Sequence, residues 1–209
     1  MLDCTTEKYA ALYARWLVNP GTLLDMAGWT PGMTLLDLCG GSGAVTREAL
    51  RRGAHPNDIT LVDLNPRAED TGVKQVQSPM ESLPWNMAPR DWDIFDVAVC
   101  RQAIGYVNLR STFARDVHHM LKPGGRFVFN TFGHPRWALR RYTFEGKRFI
   151  EASGYLGRMV MHIQASPGLG LDVTKFRWHS DDELHEAFWM FRVGVHADGR
   201  SIRWVCTKG

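Results

Sequence analysis

The chain is poor in cysteine. Only Cys4, Cys39, Cys100 and Cys206 occur, with no Cys-x-x-Cys pair and no His/Cys spacing suited to zinc. A disulfide scaffold or zinc module is therefore not expected, and the thiols are read as reduced. No apolar run reaches the roughly 18 residues that a membrane helix needs. The amino end, Met1 to Tyr9, has no apolar segment behind a basic patch, so it does not resemble a secretory leader, and a cytoplasmic protein with no membrane contact is expected. Charge of one sign is also scarce. The 25 Lys and Arg residues against 22 Asp and Glu leave a net charge of +3, which gives little support to a nucleic-acid partner. Absent too are a Gly-x-x-x-x-Gly-Lys phosphate loop, a Ser/His/Asp order and paired catalytic carboxylates.

What is present is a balanced globular composition, 44% hydrophobic and 22% charged. The 209 residues suffice for one α/β domain, 1–209, without a second globular unit. Its organising stretch is Thr34-Leu-Leu-Asp-Leu-Cys-Gly-Gly-Ser-Gly43, followed by the helical pattern Ala44 to Leu50. Strand, glycine turn and helix form a cradle. Glycines turn sharply and let a ligand lie on bare backbone, and the N–H groups opening a helix favour a polar group. The dinucleotide fingerprint Gly-x-Gly-x-x-Gly fails, because Thr46 stands where its last glycine belongs. The next apolar run, Ile59 to Asp63, ends about 20 residues beyond the loop, where a βαβ unit places an acidic residue for the two hydroxyls of a ribose.

Further elements follow from periodicity and turn chemistry. Tyr9, Leu12, Tyr13, Trp16 and Leu17 share one face of a helix over Glu7 to Leu17, and core packing is the plainest use of that face. A second helix is expected over Thr22 to Ala27, a strand over Asp96 to Cys100 and a helix over Thr112 to Leu121. A turn at Lys122 to Gly125 then leads into a strand over Arg126 to Phe132. Ser180-Asp-Asp-Glu183 is a capping box opening a helix through Leu184, Ala187 and Phe188. Alternating runs Phe191 to His196 and Ser201 to Cys206, flanking Ala197-Asp-Gly-Arg200, predict a terminal hairpin. Between them, 133–178 fits no strand-helix repeat. It holds a basic aromatic patch, a hairpin pattern at Tyr142 to Phe149, and strand-like Arg158 to Ile163 and Val173 to Trp178.

Asp37 followed by Cys39-Gly-Gly-Ser-Gly43 resembles the first motif of the class I S-adenosylmethionine (SAM) dependent methyltransferases, with Cys39 where the first glycine is usual. Leu83-Pro84-Trp85 and Leu121-Lys-Pro-Gly-Gly125 also match recurrent features of that family. The resemblance implies an α/β, Rossmann-like, doubly wound and mostly parallel sheet ending in an antiparallel β-hairpin. It further implies a helical cap over 1–30 and a substrate-binding insert at 133–178. On this pattern Asp37 with the backbone of Cys39, Gly40, Gly41 and Gly43 holds the methionine moiety. Asp63 holds the ribose, with Leu64 beside it among the cofactor-binding residues, and Met80 with Glu81 the adenine edge, where Pro79 replaces the usual aspartate. Tyr13 or Trp16 lies near the sulfonium. Arg101 and Gln102 stand where methionine and acceptor meet. His134 is the first candidate for a general base and Tyr106 the second.

The implied activity is methyl transfer from SAM to an oxygen, nitrogen or carbon of a small molecule, by a monomer or homodimer. Arg136, Arg140, Arg141, Lys147 and Arg148, with Trp137, Tyr142 and Phe144 between them, suit an anionic or aromatic acceptor or simply pack the insert. Besides a SAM-binding protein that has kept the fold and lost turnover, two alternatives stay open. One is another SAM-consuming reaction, an aminocarboxypropyl transfer or a cyclisation releasing methylthioadenosine. The other is RNA or DNA methylation, against which stands Arg101-Gln-Ala-Ile104 where an Asp/Asn-Pro-Pro-Tyr motif would lie.

Overall fold

A computed structural model of the chain describes residues 18–80, 83, 92–107, 112–132, 179, 181–197 and 201–209, with the side chains at 106, 132, 197 and 201 outside the description. The elements are α1 (Pro20–Ala27), β1 (Leu35–Leu38), α2 (Ala44–Arg51), β2 (Ile59–Asp63), β3 (Lys74–Gln77), β4 (Phe95–Cys100), α3 (Phe113–Met120), β5 (Leu121–Phe132), α4 (Asp181–Ala187), β6 (Phe191–Ala197) and β7 (Ser201–Lys208). The strands form one seven-stranded sheet in the order β3-β2-β1-β4-β5-β7-β6. Strands β1 to β5 run parallel, while β7 is antiparallel to both β5 and β6. The doubly wound sheet and its terminal antiparallel pair match the expectation. Strand order reverses beside β1, which leaves a crevice at the carboxyl ends of β1 and β4.

Alternation along the strands sorts side chains onto two faces. Leu36, Leu38, Ala98, Cys100, Phe127 and Phe129 face one core, closed by Phe113 and Val117 of α3 and by Leu184 and Phe188 beside α4. Leu35, Leu61, Val97, Val99 and Val128 face the other, closed by Leu23 and Leu24 of α1 and Val45 and Ala49 of α2. The first core is largely aromatic. Phe129 and Trp204 pair across β5 and β7 with centroids 5.8 Å apart and planes 4° apart, and Phe113 meets Phe127 edge-on at 6.0 Å. Such pairs add about 0.5–1.5 kcal/mol beyond their burial.

Phe95 breaks the alternation, since it shares the first core with Ala98 and Cys100. The register slips between Phe95 and Val97, and the N–H groups of Asp96 and Val97 both donate to Thr34 O at 3.1 Å. This bulge puts Phe95 on the aromatic side. Opposite it lies the Lys122 to Gly125 stretch. The turn expected there is instead taken up inside β5, whose pairing jumps from Phe95↔Leu121 to Val97↔Arg126. The helix expected from Thr22 begins two residues earlier. Asn19 accepts a hydrogen bond from Gly21 N at 2.8 Å and Pro20 occupies the first turn, where its missing N–H costs nothing.

Among the described residues no helix is long and apolar enough to cross a membrane. The helix expected over Glu7 to Leu17, the 1–30 cap up to residue 17, the Asp198-Gly199 turn and the 133–178 insert with its hairpin and strands lie outside the described residues.

A Cβ on Gly125 would stand 2.8 Å from Lys122 O, 3.1 Å from Phe95 O and 3.2 Å from Asp96 O, all backbone atoms of the bulge. Gly125→Ala should therefore lower the unfolding free energy by about 1–3 kcal/mol. Urea denaturation with an unchanged m-value measures it, and a loss below about 0.5 kcal/mol would refute the tight bulge.

Candidate functional site

The loop from β1 to α2 reverses the chain in five residues. Cys39 (φ 55°), Gly41 (φ 53°) and Gly43 (φ 78°) are all left-handed, and Gly43 N donates to Gly40 O at 2.7 Å. At Cys39 a side-chain-bearing residue holds the conformation glycine adopts freely, at a cost on the order of 1–2 kcal/mol. The three glycines do different work. A Cβ at Gly40 would come within 2.6 Å of Leu61 Cγ, and one at Gly43 within 2.9 Å of Ala68 Cβ, so both serve close packing. At Gly41 the one heavy atom near such a Cβ among the described residues is Asp63 Oδ2, at 4.0 Å. Among the described residues Gly41 thus borders open space, as backbone meant to lie against a ligand does.

Two carboxylates from neighbouring strands hold this loop. Asp37 is 1% exposed, and its Oδ2 accepts from Thr46 N at 3.1 Å and Thr46 Oγ1 at 2.8 Å. It ties the first turn of α2 to β1 from beneath. The expected direct grip of Asp37 on a ligand is corrected accordingly: a side chain sealed under the loop acts by shaping that loop. Thr46, unnoticed in the sequence except as a missing glycine, is its partner. Asp63, at the tip of β2, reaches across instead. Its Oδ2 accepts from Gly41 N at 3.0 Å and its Oδ1 from Asn65 N at 2.8 Å. Each oxygen keeps lone-pair capacity for one more donor. Beside it Leu64 is 55% exposed, and Gln77 Nε2 donates to Leu64 O at 3.1 Å while Ser78 N donates to Asp63 O at 2.9 Å.

At the tip of β4, Arg101 Nε donates to Val18 O at 2.7 Å. Gln102 is left-handed (φ 62°), and its N–H donates to Asn130 Oδ1 at 3.0 Å. Asn130 escaped the sequence reading, although alternation with Val128 puts it on the same face of β5 and so out of the aromatic core. Tyr106 ends the short 3-10 turn Ile104–Tyr106 after β4. Met80 is buried in the aromatic core rather than on an open edge. Tyr13, Trp16, Glu81, His134 and the basic aromatic patch lie outside the described residues.

Burial pushes the Asp37 carboxyl up to about 6; the Thr46 hydrogen bonds and the Arg101 charge pull it down, and Asp63 adds to the rise. The Cys39 thiol is raised well above its usual range by its hydrogen bond with Cys100 and by burial. A thiol so held is a poor nucleophile, which leaves Cys39 a packing role in the loop.

The family description of a methyltransferase domain matches residues 13–191. A demethylmenaquinone methyltransferase of Tropheryma whipplei (strain Twist) is 28% identical over 175 residues, covering 81% of this chain and 69% of that protein. A ubiquinone/menaquinone biosynthesis C-methyltransferase of Idiomarina loihiensis is 30% identical over 124 residues, 54% of this chain and 47% of that protein, so the chain spans about half its length. Among solved structures, the 1,6-didemethyltoxoflavin-N1-methyltransferase of Burkholderia thailandensis, with 1,6-didemethyltoxoflavin and S-adenosylhomocysteine bound, superposes with a TM-score of 0.57 at 17% identity, covering 91% of this chain and 76% of that one. At that identity the likeness is one of fold.

The raised Asp37 carboxyl gives the buried anchor a pH signature. An acid whose folded value lies above its unfolded one adds stability that is complete below the unfolded value and is lost as pH rises through the folded one, here between about 4 and 6. Asp37→Asn carries no such charge. Its stability relative to wild type should therefore climb across that window, by up to about 2–3 kcal/mol at neutral pH. A difference that stays flat from pH 4 to 7.5 in denaturation curves, both values set on either side of the window, would show the carboxyl to be unperturbed.

Proposed function

The chain belongs to the methyltransferase domain family, and we propose that it moves the methyl group of SAM onto a small-molecule acceptor. The observation that carries this reading is the open backbone at Gly41 facing the Asp63 carboxylate, a cradle that a single Cβ would begin to fill. An adenosine with two free hydroxyls suits that pair. Asp63 would accept a hydrogen bond on each oxygen, and its existing bonds from Gly41 and Asn65 hold the carboxylate in place beforehand. Exposed Leu64 offers an apolar rest for a flat ring. The Cys39 to Gly43 backbone, shaped from below by Asp37 and Thr46, would receive the amino-acid end.

When bound, SAM supplies a methyl already activated by a positive sulfur. The protein's work is then to align the acceptor, exclude water and take up a proton. His134, following β5, and Tyr106, in the turn after β4, are the residues we assign to proton removal, His134 first. The relatives' names, a demethylmenaquinone methyltransferase and a quinone-biosynthesis C-methyltransferase, favour a carbon on an oxygenated ring as the atom methylated.

Mass spectrometry after incubation with SAM and a hydroxylated ring acceptor should find S-adenosylhomocysteine and a product heavier by one methylene. Methylthioadenosine in its place would replace methyl transfer with SAM cleavage. In calorimetric titration of S-adenosylhomocysteine, Asp63→Ala should weaken binding by more than about tenfold, the worth of the charge-assisted bonds removed. Gly41→Ala should do the same while lowering the melting temperature by only about 2–4 °C, the effect of roughly 1 kcal/mol in a chain of this size. Unchanged affinity in both variants would remove the cradle from consideration.

A further inference from the structure

At the tips of β4 and β5 the backbone of Gln102 is tied to the side chain of Asn130, and polar atoms of both side-chain amides are left unsatisfied. Gln102 N–H donates to Asn130 Oδ1 at 3.0 Å. Beyond that bond, Gln102 Nε2, Gln102 Oε1 and Asn130 Nδ2 are sealed from solvent and meet no hydrogen-bond partner among the described residues. Asn130 is only 1% exposed. Each such orphan costs about 1–3 kcal/mol in a folded protein. Gln102 adds backbone strain, since it is left-handed with φ 62° although it is no glycine. Strain and unmet polar groups at one spot, with no packing return, are what a binding position carries while it waits for its ligand.

The location agrees. Cys100, two residues before Gln102, pairs with Leu38 at the head of the glycine loop. Asn130 is directly opposite Arg203 of β7, on the face of the sheet that also carries Val128. Gln102 and Asn130 therefore stand one and two strands over from β1 and its cradle, at the same carboxyl edge of the sheet.

We propose that Gln102 and Asn130 recognise the acceptor, and that it presents an uncharged oxygen pair, a hydroxyl beside a second hydroxyl or a carbonyl. The chemistry follows from what is unmet. Nε2 and Nδ2 donate to oxygen lone pairs, while Oε1 accepts from a hydroxyl proton. A carboxylate or phosphate would satisfy the two donors, and Arg203 opposite Asn130 carries a compensating charge, but it would still face Oε1 with its own lone pairs, which only a hydroxyl proton meets. Both residues are specificity-determining and neither moves a proton. This inference deepens the reading above and rests on it for the meaning of "acceptor".

The test uses the full chain with S-adenosylhomocysteine present, catechol and benzoate as probes, and two variants of one residue. Gln102→Met keeps the length of the side chain and deletes both orphans, and Gln102→Glu keeps its shape and replaces the donor Nε2 with oxygen. In saturation-transfer NMR, catechol should bind wild type more tightly than benzoate does. Its affinity should fall by more than about tenfold in each variant, the loss of one to two hydrogen bonds. Melting should separate recognition from structure, because Gln102→Met should melt no lower than wild type. A fall of more than about 4 °C, which in a chain of this size marks the loss of a bond worth about 1 kcal/mol or more, would show the amide to be structurally satisfied and overturn the proposal. Equal catechol signals in wild type and variants, absence from all included, or a preference for benzoate would overturn it as well. S-adenosylhomocysteine titrated into the same proteins should bind all alike; failure to bind wild type would count against the SAM reading, while the melting comparison would still decide the amide pair.

Discussion

Everything about this site depends on one constraint: a parallel strand must hand over to a helix in five residues without losing its place in the sheet. Left-handed residues at 39, 41 and 43 make the reversal, and two aspartates hold it. Asp37 works from below, through Thr46, and Asp63 works from the side, through Gly41 N. The two carboxyls have the same chemistry and opposite surroundings. Buried Asp37 carries the desolvation cost of its charge, whereas Asp63 keeps a partly open carboxylate at the rim. One carboxylate shapes the loop and the other remains to meet a ligand.

The sheet supplies the rigidity this division requires. Its middle strands are covered on both faces, by an aromatic core on one side and an aliphatic one on the other. Close packing of that kind transmits small displacements instead of absorbing them. The bulge at Phe95 to Val97 lets β4 send Phe95 into the aromatic core while Val97 and Val99 keep to the other face. The rings stacked from Phe113 to Trp204 then fix β5 and β7, and with them Asn130, against the strand that carries Gln102.

Much of this was legible in the residues. Strands at Ile59 to Asp63 and Asp96 to Cys100 announced themselves as short runs rich in β-branched and apolar residues, a local property. The terminal hairpin was readable because two alternating runs flank Asp198-Gly199, whose backbone preferences are local as well. The glycine loop was readable for the same reason. Where the tertiary partner entered was in how the turn before Arg126 is housed. Lys122-Pro-Gly-Gly125 keeps its turn, with Gly124 left-handed at φ 77°, as an unpaired excursion inside β5, and pairing with β4 resumes at Arg126.

By itself the sequence determined the period and punctuation of the chain, hence the order of strands and helices, the loop at Cys39 to Gly43 and the acidic tip at Asp63. Those follow from φ preferences and side-chain alternation, which act over a few residues. Only the tertiary structure decided that Asp37 is sealed beneath the loop, that Gly41 alone of its three glycines borders open space among the described residues, and that the Gln102 backbone meets Asn130 while polar atoms of both side-chain amides stay unmet. Burial and hydrogen-bond partnership are properties of groups brought together from 9 to 28 residues apart, and no local preference encodes which of two like side chains will keep its water.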